Sequence, residues 1–318
     1  MTDNMLVVSS SPHMRSNEST QTIMRDVIIA LLPATFFAVY NFGSRALIVT
    51  ILAILGAVAS EWLFQKATGR KNTVTDLSAA LTGLFVALNI PYTVPFWIPV
   101  IGSAFAIIVV KQIFGGLGQN FMNPALAARA FLVLSFPRIM SIWSFDSVTS
   151  ATPLDILKAG GRNMPSLQDA FLGNIGGSLG EVSAAALLIG AAYLLIRKVI
   201  TWRIPFVYIG TTIAVIAAIQ FFNGNGFDIN YLSYHVFTGG LILGAFFMAT
   251  DYASSPVTPK GQIIFAIGAG IVTAVIRLYS GMPEGVSYAI LFMNLWVPII
   301  ERFTIPKAFG EGDSHGKK

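Results

Sequence analysis

The chain is a succession of apolar runs of about 15 to 21 residues, each roughly what a helix needs to cross a bilayer. Short polar or Gly/Pro-rich breaks separate them. Only helices and closed barrels satisfy their backbone polar groups in lipid, and these runs are too long and continuous for barrel strands. The expected fold is therefore an all-α polytopic membrane protein. Composition agrees: 54 % of the residues are hydrophobic and 11 % charged, against about 25 % charged in a soluble domain.

The pattern predicts about ten spans, near 24–40, 45–64, 76–89, 95–114, 123–136, 182–200, 204–222, 235–250, 262–280 and 285–303. The net charge of +5 does not point to nucleic acid, because the basic residues sit at the ends of apolar runs, as topology determinants do. With the N-terminus inside, fourteen of the 20 basic residues fall on the cytoplasmic side and five (Arg45, Arg138, Lys158, Arg162, Arg277) outside, leaving Arg129 within a span. That bias predicts both termini in the cytoplasm. The first 22 residues are polar apart from "MLVV", so no cleavable signal peptide is expected. The absence of cysteine excludes disulfides, thiolate-held iron–sulfur clusters and zinc–thiolate sites on this chain. A redox role would need an organic cofactor. The three histidines (His13, His235, His315) are scattered and form no recognisable metal site.

The two halves resemble each other. "TGLFVALNIPYTVP" (82–95) parallels "LGAFFMATDYASSP" (243–256), and "IGSAFAIIVVKQIFG" (101–115) parallels "IGAGIVTAVIRLYSG" (267–281), pairing Lys111 with Arg277. The matched spans are the third and eighth. Five spans of offset invert the second copy, and inverted repeats place their sites near the bilayer midplane. The expected organisation is a cytoplasmic segment (1–23), a first five-helix repeat (24–136), an outer loop (137–181), a second repeat (182–303) and a cytoplasmic tail (304–318). The third and fifth spans hold about 14 residues each, roughly 21 Å of helix against a core of about 30 Å. Such short spans beside Gly/Pro breaks point to a central site.

Four polar residues within or beside spans are candidates. Arg129, in "NPALAARAFLVL", would cost about 2.5–3.5 kcal/mol at mid-depth without a partner. It is either an anion, phosphate or flavin contact, or structural, as one half of an ion pair or a head that snorkels to one face. Asn123, in "NPA", fits a helix N-cap followed by proline at the first helical position; it is also a candidate flavin or anion contact. Asp251 and Asp76 lie at the ends of matched spans, as caps or as carboxylates on a cation path.

The outer loop carries an unusually hydroxyl-rich stretch, "DSVTSATPLD" (146–155). "TPLD" fits a helix start, with Thr152 as N-cap, Pro153 at N1 and Asp155 at N3. A helix N-terminus also favours a phosphate, bound or esterified. Local physics leaves the cap and the attachment point open together.

The run Asp146-Ser147-Val148-Thr149-Ser150-Ala151-Thr152 resembles the flavin-attachment motif Asp-x-x-Ser/Thr-Gly-Ala-Thr/Ser. That motif belongs to the D subunit of the Rnf complex and to the homologous B subunit of the sodium-pumping NADH:quinone oxidoreductase. Ser150 stands where the family commonly has glycine. The stretches "SSPHMRSNESTQTIMRDVIIALLPA" (10–34), "DLSAALTGLFVALNIP" (76–91), "GGLGQNFMNPALAARAFL" (115–132) and "GGLILGAFFMATD" (239–251) are also similar to the family. The lack of a long N-terminal extension favours the Rnf branch of the family.

The resemblance implies ten helices in two inverted repeats, similar to urea transporters. It implies FMN joined to Thr152 through a phosphodiester, transferred from FAD by a dedicated flavin transferase, with Asp146, Thr149, Ser150 and Ala151 as the surrounding motif. Some family members are expected to hold a non-covalent riboflavin as well. The implied role is relay of electrons through an outer FMN within a complex that oxidises reduced ferredoxin, reduces NAD and exports Na⁺ or H⁺. Such a chain is one component of a translocase, not catalytic alone, in a bacterial or archaeal cytoplasmic membrane. Its partners would be the other membrane and peripheral subunits, including a second FMN-bearing subunit and iron–sulfur subunits. A tethered organic centre suits a membrane electron carrier without cysteine. Two other readings remain: a small-solute channel of the urea-transporter type, motivated by the repeats and "NPA", and a cofactor-free scaffold of the same complex.

Overall fold

The computed structural model describes residues 19–142, 144–145, 148–149, 152–160, 164–181, 183–224, 226–281 and 285–306, with the backbone alone at 144–145 and 148–149. Asp146, Ser150 and Ala151 of the hydroxyl-rich stretch therefore lie outside the described residues, as do the Thr149 side chain, His13 and His315.

Each of the ten expected segments falls on helix. The first two are merged in α1 (Thr20–Thr68), which turns at Gly43, whose φ of 71° and ψ of −160° are not helical. Glycine adopts that conformation without a Cβ penalty. The arms on either side, 20–42 and 44–68, are each about 35 Å long at 1.5 Å per residue. After them come α2 (Ser78–Leu88), α3 (Trp97–Ala104, continued by a π-helical stretch Phe105–Gln112) and α4 (Pro124–Ser135). The second half contains α8 (Ala184–Ile196), α9 (Arg203–Phe222), the split element α10 (Ile229–Phe237) and α11 (Leu241–Leu243, continued as π-helix Gly244–Met248), α12 (Pro259–Tyr279) and α13 (Val286–Thr304).

Four of these helices are long and apolar enough to cross a membrane, or five if the split element, bent by 60°, counts as one span. The chain is a multi-pass membrane protein by that measure. The remaining apolar helices, Ser78–Leu88, Trp97–Gln112, Pro124–Ser135 and Ala184–Ile196, are shorter. The outward faces carry bare large apolar side chains, such as Phe36, Leu55, Ile189 and Phe303, as a lipid-facing surface requires.

Glycines set the closest crossings. A Cβ on Gly190 of α8 would lie 1.9 Å from the Ala30 carbonyl oxygen of α1, and one on Gly83 of α2 would lie 2.6 Å from that of Ala53. With no hydrophobic drive between helices in lipid, such backbone approaches supply the packing. Asp26 of α1 accepts from Arg197 at 3.0 Å, tying the same α1–α8 contact at one end.

Between α4 and α8 the chain is built from short pieces: α5 (Pro137–Met140), an antiparallel pair of two-residue strands, β1 (Ser144–Phe145) and β2 (Val148–Thr149), then α6 (Pro153–Lys158) and α7 (Leu167–Leu172). Ser144 pairs with Thr149 and Phe145 with Val148. The expected long loop at 137–181 is thus locally structured. Side-chain caps hold its turns: Ser166 caps α7, and hydrogen bonds from the Ser166 hydroxyl and the Asn174 amide keep the Asp169 carboxyl below its ordinary range.

Candidate functional site

Thr152 stands at the N-cap of α6 with φ −64° and ψ 154°. Its hydroxyl accepts from Asp155 N–H at 3.3 Å and donates to Asp155 Oδ2 at 2.6 Å, while Thr152 N–H donates to the same carboxylate oxygen at 3.2 Å. This is a complete capping box with proline at N1, as "TPLD" predicts. The residue is 5 % exposed. Chemically, the arrangement holds one hydroxyl oxygen against a carboxylate able to take its proton. β2 ends at Thr149, three residues ahead of the cap, so the short ribbon and α6 bracket the hydroxyl-rich stretch.

The other candidates lie elsewhere, around the ends of broken helices. α2 stops at Asn89, which is 2 % exposed. The Asn89 amide donates to the Phe85 carbonyl at 2.7 Å and reaches Met248 Sδ at 3.6 Å, so the ends of two matched half-spans meet. Arg129 Nη1 donates to Asn89 Oδ1 at 3.1 Å and to Glu181 Oε1 at 3.2 Å. Both partners of the pair are buried, 7 % and 5 % exposed by side chain. Of the two readings of Arg129, the structure contains the ion pair. Glu181 is delivered by a non-helical segment that inserts under α2: Gly180 N–H donates to the Leu88 carbonyl at 2.7 Å and Leu179 N–H to that of Ile90 at 3.2 Å. A Cβ on Gly180 would meet Leu88 Cβ at 2.8 Å, so only glycine allows that insertion.

Asn123 caps α4, accepting from Ala125 N–H at 3.0 Å and Leu126 N–H at 3.3 Å, and its amide donates to the Met248 carbonyl at 3.3 Å. Asp76 precedes α2 in a 3₁₀ turn and accepts from Ser78 N–H at 2.8 Å and from the Ser78 hydroxyl. Asp251, half-buried just past the π-helical end of α11, accepts from the Ser254 hydroxyl at 2.8 Å. Asn123 and Asp251 share an opening of about 760 Å³ out to its mouth with Ser78, Lys111, Asn120 and Thr250. Thr152 is not part of it, and Arg129 lies beside it rather than in it.

Two carboxylates are not evident from the sequence pattern. Glu61, fully buried on α1, accepts from Lys111 Nζ at 3.1 and 3.0 Å, from Gln112 at 2.8 Å, from Gln65 at 3.2 Å and from Thr73 at 3.1 Å. Glu181 is the second. A signal for both exists: each basic residue inside a span needs a partner, and Glu61 is itself a carboxylate inside the predicted span 45–64.

Known proteins share this chain's sequence along nearly its whole length. The family model described as "NQR2, RnfD, RnfE family" matches residues 7–310. The D subunit of the Na⁺-translocating ferredoxin:NAD⁺ oxidoreductase complex of Acetobacterium woodii is 53 % identical over 312 residues, covering 96 % of this chain and 95 % of the relative. The D subunit of the proton-translocating ferredoxin:NAD⁺ oxidoreductase complex of Clostridium ljungdahlii is 45 % identical over 322 residues, covering 96 % and 97 %. The D subunit of the ion-translocating oxidoreductase complex of Halorhodospira halophila is 34 % identical over 339 residues, covering 95 % and 94 %.

Proposed function

The chain belongs to the NQR2, RnfD, RnfE family, as a D subunit of an ion-translocating oxidoreductase complex, and on that premise we propose that it relays electrons through an FMN esterified to Thr152. The observation that carries this reading is the Thr152 hydroxyl, fixed by Asp155 at the end of the stretch that resembles the flavin-attachment motif. The flavin would supply one- and two-electron redox chemistry that no side chain of this cysteine-free chain offers. The residues themselves do the rest. Asp155 Oδ2, 2.6 Å from the hydroxyl oxygen, takes its proton as a flavin transferase brings up FAD. The Thr152 oxygen would bond to the flavin-side phosphorus of FAD as that phosphorus loses the bridging oxygen, and AMP would leave carrying that oxygen and, in the end, the proton. Thr152 is 5 % exposed, so the transferase would have to uncover the hydroxyl with its contact to Asp155 intact.

The wider assignment follows the same premise. The chain crosses the cytoplasmic membrane about ten times in two inverted repeats of urea-transporter type, with both termini inside and the 137–181 segment outside. It works with the remaining Rnf subunits, including a second FMN-bearing subunit and iron–sulfur subunits, in ferredoxin:NAD oxidoreduction coupled to export of Na⁺ or H⁺. Three features support the inverted pairing: the matched segments 82–95 and 243–256, the half-helix ends meeting at Asn89 and Met248, and the bend that splits the second copy.

The test is in-gel fluorescence of the denatured chain after co-expression with a flavin transferase. The expected result is a fluorescent band that Thr152→Ala abolishes and Thr152→Ser retains. A dark wild-type band refutes the relay, and fluorescence surviving in Thr152→Ala refutes the acceptor.

A further inference from the structure

Where the split span breaks between α10 and α11, a second cavity opens against α6. Leu154, Leu157 and Lys158 of α6 face Tyr231 and His235 of α10 and Arg277 of α12 across about 470 Å³ of space out to its mouth. Two of these side chains are buried with donors to spare. His235 is 4 % exposed, and neither ring nitrogen has a hydrogen-bond partner among the described residues. Arg277 is 3 % exposed; its Nη1 donates to the His235 carbonyl and its Nη2 to those of Thr238 at 3.2 Å and Gly239 at 3.0 Å, while its Nε has no partner among the described residues. A buried polar group left unpaired is costly for a fold to keep. Lys111, the residue that aligns with Arg277 between 101–115 and 267–281, is neutralised by Glu61 at 3.0 Å. Among the described residues no carboxylate lies within ion-pair distance of Arg277; the negative charge that acts on it, Glu181, is itself paired with Arg129. Orphaned donors beside such a cation are the mark of a site shaped for an electron-rich ligand.

We propose that this cavity receives the flavin ring system carried by Thr152, with the free donors of Arg277 and His235 meeting its carbonyl-bearing edge. The inference rests on the reading of Thr152 above. A flat ligand, apolar over most of its area and rich in acceptors at one end, matches leucine and tyrosine walls with donors gathered to one side. A bare phosphate or a lipid headgroup would leave those leucines against charge. The tether is short: Thr152 begins the helix whose Leu154, Leu157 and Lys158 form one wall. α6, the break and Arg277 are also in close contact, since a Cβ on Gly239 would lie 2.1 Å from Leu154 Cδ1 and 3.0 Å from Arg277 Nη2. Positive charge and donors at that edge favour the ring's reduction, the lever a protein holds over a bound flavin. Arg277 and His235 are therefore positioning residues for the relay's potential, not for the attachment.

The test uses the full chain, co-expressed with a flavin transferase, and the variants Arg277→Gln, His235→Leu and Leu157→Trp. Fluorescence of the denatured band reports attachment; the native visible spectrum and a potentiometric titration report the ring's surroundings. Attachment is expected in all three. Arg277→Gln should shift the redox equilibrium at least tenfold toward the oxidised form, which is about 30 mV for a two-electron couple. Leu157→Trp, which fills the cavity, should displace the ring, shift its absorption bands and expose it to a soluble quencher. His235→Leu removes an unpaired polar group and so keeps the fold, which preserves the test if Arg277→Gln does not assemble. Its expected effect is a smaller shift of the same sign. Native spectra and potentials identical to wild type, with fluorescence retained, overturn the cavity assignment while leaving Thr152 standing. A dark wild-type band overturns both.

Discussion

The Lys111–Glu61 pair offers the most demanding test of how this fold holds charge inside a span. Lys111 Nζ sits 3.0–3.1 Å from both Glu61 oxygens and 2.6 Å from the Ser78 hydroxyl, with Lys111 2 % and Glu61 0 % exposed by side chain. At 3 Å and an effective dielectric constant of about 20, Coulomb attraction alone is about 5–6 kcal/mol. Desolvating the two ions costs several kcal/mol each, so the pair as a whole contributes little net stability. Removing one partner is another matter. Lys111→Met strands the Glu61 carboxylate in a dry site and should cost about 3–5 kcal/mol. Glu61→Gln keeps the acceptor oxygen for Gln65, Gln112 and Thr73 but strands the ammonium, and should cost a similar amount.

The double variant Lys111→Met/Glu61→Gln leaves no buried charge, so it should recover about 2 kcal/mol or more of the summed losses. Reversible unfolding of the full chain in bicelles, followed over the four corners of the cycle, measures that coupling. Additivity within about 0.5 kcal/mol would refute the reasoning, because contacting groups in one network do not add. Single losses below about 1 kcal/mol would refute it as well, since that is the behaviour of a solvated surface pair.

Other outcomes follow from the same geometry. Gly190→Val should prevent α8 from seating on α1, with loss of assembled protein on a native gel, because its Cβ alone would be 1.9 Å from the Ala30 carbonyl oxygen. Asp155→Asn should retain part of the cap but slow flavin attachment at least tenfold, with the defect shrinking as pH rises and the Thr152 hydroxyl gives up its proton more readily to solvent base; a wild-type rate at all pH values would remove Asp155 from that step. Arg129→Gln should destabilise the chain by about 3–5 kcal/mol through the stranded Glu181 carboxylate, measured by the same unfolding assay, while the denatured band stays fluorescent.

What the sequence made legible was whatever depends on neighbours along the chain. Long apolar runs marked where helices form, because lipid leaves the backbone no other partner. Cap grammar marked Asn123 and Thr152, where a side-chain oxygen, a following proline and the free N–H groups of a first turn lie within three residues. Gly43 divides a helix that would otherwise run unbroken for 49 residues, and the polar spacing there placed a boundary in the right position. Tertiary pairing was not legible. Glu181 reaches Arg129 from 52 positions away, and Glu61 reaches Lys111 from 50. No periodicity encodes such a meeting. Nor did "GGSLGE" look like a segment that inserts beneath a helix end, since backbone pairing to the Leu88 and Ile90 carbonyls asks only for small residues.

The difference between the halves bears on function more than their likeness does. Past α3, the first half holds a lysine, a carboxylate 3.0 Å away and a filled hydrogen-bond set, so its charge is neutralised. At the aligned position the second half holds an arginine that spends its Nη groups on the carbonyls at the end of a broken helix and keeps a donor free beside a cavity. A carboxylate facing Arg277 would neutralise it as Glu61 neutralises Lys111. Introducing one, as Leu278→Glu, should therefore neutralise the cavity and lower the flavin potential much as Arg277→Gln does, without removing the guanidinium that caps α10. If the potential instead stayed at its wild-type value while the chain folded and carried flavin, charge at this position would have no hold on the redox centre.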